Sequence, residues 1–148
     1  GKLLETAAYL HDVGHFISDT GHHKHSAYIV LNSDLPGYTL GERQIISQLC
    51  RYHRKSLPAS RHEPFRALSQ DDRRAVQLLI PLLRIAIGLN TNKDRRVRDI
   101  ECRIRDAGVS LIVTGEGDLD LEVWAAERAA DSFAQIYGMP LSVQRGRA

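Results

Sequence analysis

The apolar pattern of this 148-residue chain changes period once, after Asn90, and that change limits what it can fold into. Before it, apolar residues recur at helical spacing. Leu3, Leu4, Ala7, Ala8, Leu10 and Val13 share one face, with Gly14 as a stop. The segment from His22 to Leu31 has the same period, and Asn32 to Gly37 is loop chemistry. Thr39-Leu40-Gly41-Glu42 reads as a capping box opening a helix through Ile45, Ile46, Leu49 and Tyr52. Residues 56–68, with Pro58 and Pro64, predict irregular structure. Ser69-Gln70-Asp71-Asp72 caps a further helix, apolar from Ala75 to Leu89. Pro81 inside it predicts a kink, or two helices with Pro81 near the start of the second.

After Asn90, Ile100, Cys102 and Ile104 alternate with polar residues, the period of a half-buried strand. Gly108 is a turn and Val109 to Val113 a second strand. Asp118 to Tyr137 reads as one helix with Leu121, Trp124, Ala125, Arg128 and Ala129 in register. Gly138 ends it, and Leu141 to Val143 form a third strand. The expected fold is mainly α: a helical domain over residues 1–94, then a small α+β appendage of β-β-α-β order over 95–148.

Composition narrows the class. Hydrophobic residues make up 43% and charged residues 26%, which excludes disordered, collagenous and disulfide-scaffold chains. The apolar run Leu78 to Leu83 is too short to span a bilayer. With no basic segment leading into an apolar one at the start, the expected location is cytoplasmic, with no membrane partner. Cys50 and Cys102 are far apart and form no CxxC, so both are expected to be reduced thiols packed as small hydrophobes. No initiator Met and no N-cap precede Leu3, so the chain reads as a piece of a longer protein.

Net charge is only +2, but it is unevenly spread. Residues 1–42 carry two basic and five acidic side chains. Residues 43–105 carry fifteen and six, and residues 106–148 three and seven. A positive middle between acidic ends implies either an anionic partner or an arginine-rich solvated surface.

All seven histidines precede residue 63. His11 and His15, in Leu10-His11-Asp12-Val13-Gly14-His15, are one helical turn apart. His22, His23 and His25 flank Lys24, and His53 stands in Arg51-Tyr52-His53-Arg54-Lys55. Imidazole with carboxylate, as at His11 and Asp12, is a first shell suited to Mn, Fe, Mg or Zn. Each feature also has a plain structural reading, as a solvated helix start or a basic helix end.

Leu10-His11-Asp12-Val13-Gly14 resembles the His-Asp motif of HD-domain metal phosphohydrolases. The longer strings "LHDVGHFIS", "HHKHSAYIVLNSDLPGYT", "RYHRKSLP", "LLRIAIGLN" and "DLDLEVWAAERAADSFAQIYG" together resemble the C-terminal part of the exopolyphosphatase / guanosine pentaphosphate phosphohydrolase (Ppx/GppA) family. That resemblance implies an HD-like helical domain that acts as an accessory. Full-length members hydrolyse terminal phosphates of inorganic polyphosphate or pppGpp, with Mg, in N-terminal actin-like domains that would be partners within the same protein. A homodimer is also implied, and no nucleic-acid partner. No catalytic residue or cofactor is then expected in this chain.

The HD pattern further implies an earlier His, which would precede Gly1, and a distant Asp. Ile87 stands at the Asp position and Asn90 where a second Asp often follows. His11 and Asp12 would therefore be a degenerate metal site, weak or unoccupied. The polyphosphate contacts are expected from His22, His23, Lys24, His25, Arg51, His53, Arg54 and Lys55. Two alternatives stay open. One is a metal-dependent HD-type phosphohydrolase with His11, Asp12, His25 and His53 on the ion and His15 as general acid. The other is a scaffold with a vestigial site.

Overall fold

The computed structural model describes residues 1–147. They form two compact units, one of residues 1–83 and one from residue 84 onward. The fold is mainly α with a small sheet after the helices.

In the first unit, α1 (Lys2–Leu10) gives way to a 3-10 turn over Val13–Phe16, so the first helix stops before Val13. Helices α2 (His22–Leu31) and α3 (Leu40–Arg51) follow. The capping box at Thr39 is made in full. Thr39 Oγ1 accepts from the Glu42 amide at 3.1 Å, and the Thr39 amide donates to Glu42 Oε2 at 2.9 Å. Helix α3 packs on α1 and α2, and the turn packs on α2. Ile46, Leu49 and Val30 are fully buried at the centre. The stretch expected to be irregular contains a one-turn helix, α4 (Glu63–Arg66), which Pro64 opens because the missing amide costs nothing there.

Helix α5 (Gln70–Leu89) is one 20-residue helix with Pro81 inside it, not two. Pro81 is fully buried, as are Val76, Ile80 and Leu83. Burial on this face holds the helix together through the hydrogen bond that proline cannot make.

The second unit contains β1 (Val97–Arg105), β2 (Gly108–Gly115), α6 (Asp120–Glu127), α7 (Ala130–Tyr137) and β3 (Leu141–Arg145). The expected single helix is two. The ladder tightens at Ala129, whose amide reaches Ala126 rather than Ala125. The sheet order is β1-β2-β3. β1 pairs with β2 antiparallel, Cys102 opposite Leu111, and β2 pairs with β3 parallel, Leu111 opposite Val143. Helices α6 and α7 pack on β3.

Two expectations on burial are corrected here. Of the residues placed in register in the expected helix, Ala129 is buried as expected, but Leu121, Trp124 and Arg128 are exposed, and Leu119, Glu122 and Ala126 are buried instead. The Arg128 guanidinium lies 5.0 Å over the exposed Trp124 ring. Cys102 is an exposed thiol on β1 and not a packed hydrophobe, whereas Cys50 is buried. Gly88 explains how closely α5 and α6 meet. A β-carbon there would stand 2.6 Å from the Ala126 amide nitrogen.

Candidate functional site

The histidines meet because three backbone elements converge on one place. Gly14, in the turn after α1, lies directly on the start of α2. A β-carbon on it would sit 2.0 Å from the His22 carbonyl oxygen and 2.5 Å from the Ser26 amide nitrogen. Its amide donates to Ser26 Oγ at 2.8 Å. That contact stacks His15 on His22, ring centroids 4.0 Å apart. The end of α3 brings in His53, 5.4 Å from His22 and 5.0 Å from His11 by ring centroids. His23 meets His22 edge-on at 6.1 Å.

Two of these rings have a fixed tautomer. His11 Nδ1 is 2.7 Å from the Ala8 carbonyl and His53 Nδ1 is 2.6 Å from the Cys50 carbonyl. A carbonyl only accepts, so both Nδ1 atoms carry a proton, and in the neutral ring the lone pair lies on Nε2. This is how proteins commonly orient histidine for a metal. The rest of a metal shell does not assemble around them. Among the described residues, no group of three or more His, Cys, Asp and Glu side chains is placed to hold an ion. The residues present therefore do not fit an HD-type metal centre. His25, one of the ligands in the metal-dependent alternative, directs Nε2 to the Thr20 carbonyl at 3.1 Å.

Burial sets the charge of this cluster. His53 and His22 are 7% and 8% exposed. Loss of water pushes His53 down to about 4, and His11, His22 and His23 add repulsion to any proton there. Burial is also the largest cause at His23, likewise lowered to about 4, with Arg51, Arg54 and Lys55 contributing. His22 is lowered by burial, against an opposing hydrogen bond to the Asp19 carbonyl. His22, His23 and His53 are thus neutral near pH 7. Positive charge in the segments expected to bind phosphate rests on Lys24, Arg51, Arg54 and Lys55. The Arg54 guanidinium comes within 3.2 Å of His22 Nδ1. Cys50, beneath the cluster, is pushed up to about 12 by burial and by the Asp12 charge, so it is no nucleophile. His15 is exposed and pairs with Asp19 at 2.7 Å.

The same segments border a second feature that sequence reading missed. A cavity of about 410 Å³ between α2, α3 and α4 is lined by Lys24, Arg51, Gln48, Tyr28, Tyr52 and His62, among others. The Ala59 amide donates to His62 Nδ1 at 3.1 Å, so that nitrogen is an acceptor, and the Tyr52 hydroxyl lies 2.7 Å from it. The Tyr52 and His62 rings stack at 5.6 Å. No local pattern signalled it, because Tyr52 and His62 are ten positions apart and meet only in the fold. A cavity of about 580 Å³ near Pro58, Phe65 and Arg74 contains no histidine and does not touch the cluster.

Comparison with known proteins agrees with this chain's segmental pattern. A guanosine-5'-triphosphate,3'-diphosphate pyrophosphatase of Vibrio atlanticus (strain LGP32) is 29% identical over 146 residues, 97% of this chain and 28% of the relative. That of Vibrio parahaemolyticus serotype O3:K6 is 35% identical over 143 residues, 95% of this chain and 28% of the relative. That of Pseudoalteromonas translucida (strain TAC 125) is 35% identical over 85 residues, 57% of this chain and 16% of the relative. The chain thus spans under a third of the length of these relatives. Residues 1–121 match the family described as Ppx/GppA phosphatase, domain III, and the chain belongs to that family.

Proposed function

We propose that this chain is an accessory domain of a Ppx/GppA-family phosphohydrolase that helps to hold a phosphate-rich substrate and does not break the phosphoanhydride bond. The observation that carries this reading is that Arg51, Arg54 and Lys55 lie close enough to His23 for their charge to disfavour a proton there, next to the neutral His53. These three side chains keep their positive charge beside neutral rings, and a guanidinium can offer paired donors to phosphate oxygens. Lys24 lies at the edge of the same region. The substrate class is inorganic polyphosphate or pppGpp, the second being the compound for which the relatives are named. Hydrolysis, and the Mg that assists it, belong in this reading to N-terminal actin-like domains of the full-length protein, a cytoplasmic homodimer.

The test is a polyphosphate titration at several salt concentrations, with pppGpp in parallel. Replacing Arg51, Arg54 and Lys55 with Ala should weaken binding and lower the salt slope by about two to three, taking roughly 0.7–0.9 per phosphate neutralised on nucleic acids as a guide. An unchanged slope would show a solvated surface. A second reading, a metal-dependent phosphohydrolase, draws on the free Nε2 lone pairs of His11 and His53. Elemental analysis decides it: one Mn, Fe or Zn per chain, lost on His11→Ala, would favour that enzyme.

A further inference from the structure

The outer strand of the small sheet has an unpaired edge among the described residues. β1 is nine residues long and has no strand neighbour on its outer side among the described residues. A bulge between Val97 and Asp99 ends its regular part, leaving the unbroken run Asp99-Ile100-Glu101-Cys102-Arg103-Ile104-Arg105. Every residue of this run is exposed. Long exposed edges are normally blunted by like charges or by bulges inside the strand. Here the bulge stands at the end, and the charges have an order that reads as its own complement.

Placed antiparallel against a second copy about Cys102, Asp99 faces Arg105, Glu101 faces Arg103, Ile100 faces Ile104, and Cys102 faces itself. Other registers fail. Centring on Ile100 sets Asp99 against Glu101, and centring on Ile104 sets Arg103 against Arg105. Centring on Glu101 or Arg103 puts that residue against its own copy. Opposite charges directly across a strand pair attract and like charges repel, so one register is selected. The pleat agrees. Ile100, Cys102 and Ile104 share the face of Val113, Leu111 and Val109 on β2, where Val109 and Val113 are already buried. Pairing carries that apolar face across the new seam, with Ile104 at 72% exposure covered by Ile100 of the second copy.

We infer that β1 is an interface between two copies of this chain, joined edge to edge through Asp99–Arg105 into a six-stranded sheet about a twofold axis at Cys102. The inference rests on the homodimer proposed above and gives it a surface.

Sedimentation equilibrium of the 148-residue chain should show a reversible dimer. Glu101→Arg converts two attractive pairs into two repulsive ones and should weaken it by about tenfold or more. Arg103→Glu should do the same. The double swap, Glu101→Arg with Arg103→Glu, should restore the dimer, because each arginine again faces a glutamate. Circular dichroism checks that every variant is folded: Glu101 and Arg103 are half exposed and bonded to each other within β1 at 2.7 and 3.0 Å, a pair that each single change breaks and the double swap remakes. A short bis-maleimide should couple two copies through Cys102, and not after Cys102→Ser. A monomer at all concentrations, a dimer indifferent to Glu101→Arg, or a double swap as weak as the single changes would each overturn the inference. Polyphosphate titration of the double swap separates the two readings: lost dimerisation with intact anion binding sinks only the interface.

Discussion

Gly14 is the residue on which the histidine cluster turns. Only a hydrogen fits between it and the His22 carbonyl, so Gly14→Ala must push the turn off α2. Displacing backbone from backbone should cost about 1–3 kcal/mol. The expected result is a lower urea midpoint, together with loss of the ring-current shifts that His15 and His22 impose on each other. A second residue-scale prediction concerns acid. The folded pKa of His53 is about 4 against an unfolded value of 6.5, so the unfolded chain takes up the proton first. Stability from this residue is whole above pH 6.5, falls as pH drops, and is gone below about 4. The loss is about 3 kcal/mol if His53 acts alone, and its coupling to His22 and His23 spreads the fall over the same window. Urea unfolding between pH 7.5 and 4 should show this slope, and His53→Gln should flatten it.

At the scale of elements, local chemistry and packing decide different things. The α3 capping box satisfies two orphan amides from side chains three residues apart, so it was legible in Thr39 and Glu42 alone. Thr39→Ala should lower stability by about 1 kcal/mol in thermal or urea unfolding. Gly88 shows the opposite case. By propensity, Gly88→Ala should gain about 1 kcal/mol for α5. The new methyl would stand 2.6 Å from the Ala126 nitrogen and 2.7 Å from the Ala125 carbonyl carbon. Overpacking of about 1–3 kcal/mol should outweigh the gain, and a lower melting temperature checks that sign. The face of α6 was misread for a related reason. Leu121 and Trp124 repeat with helical period, but so do Leu119, Glu122 and Ala126, and only the sheet beside the helix chooses between them.

At the scale of the whole chain, two units stand for under a third of the relatives' length. The proposed division of labour makes one direct prediction. Incubated with polyphosphate or pppGpp and Mg, the chain by itself should release no phosphate above background in a phosphate-release assay. Release abolished by His11→Ala would move the chemistry into this chain.

The sequence by itself determined the succession of a helical part and a strand-containing part, because a helical period and an alternating period need no partner to be visible. Helices ran to Leu89 and strands began near residue 97 as the change of period required. The family resemblance was equally legible, since it resides in strings such as "HHKHSAYIVLNS". Tertiary structure alone decided the parallel pairing of β2 with β3 and the Tyr52–His62 cavity wall, because these depend on segments far apart in sequence. It also decided the charge of the histidines. An imidazole's type is written in the chain, but its pKa is set by the water it loses. His22, His23 and His53 read as cations in waiting until burial and neighbouring guanidinium groups made them neutral.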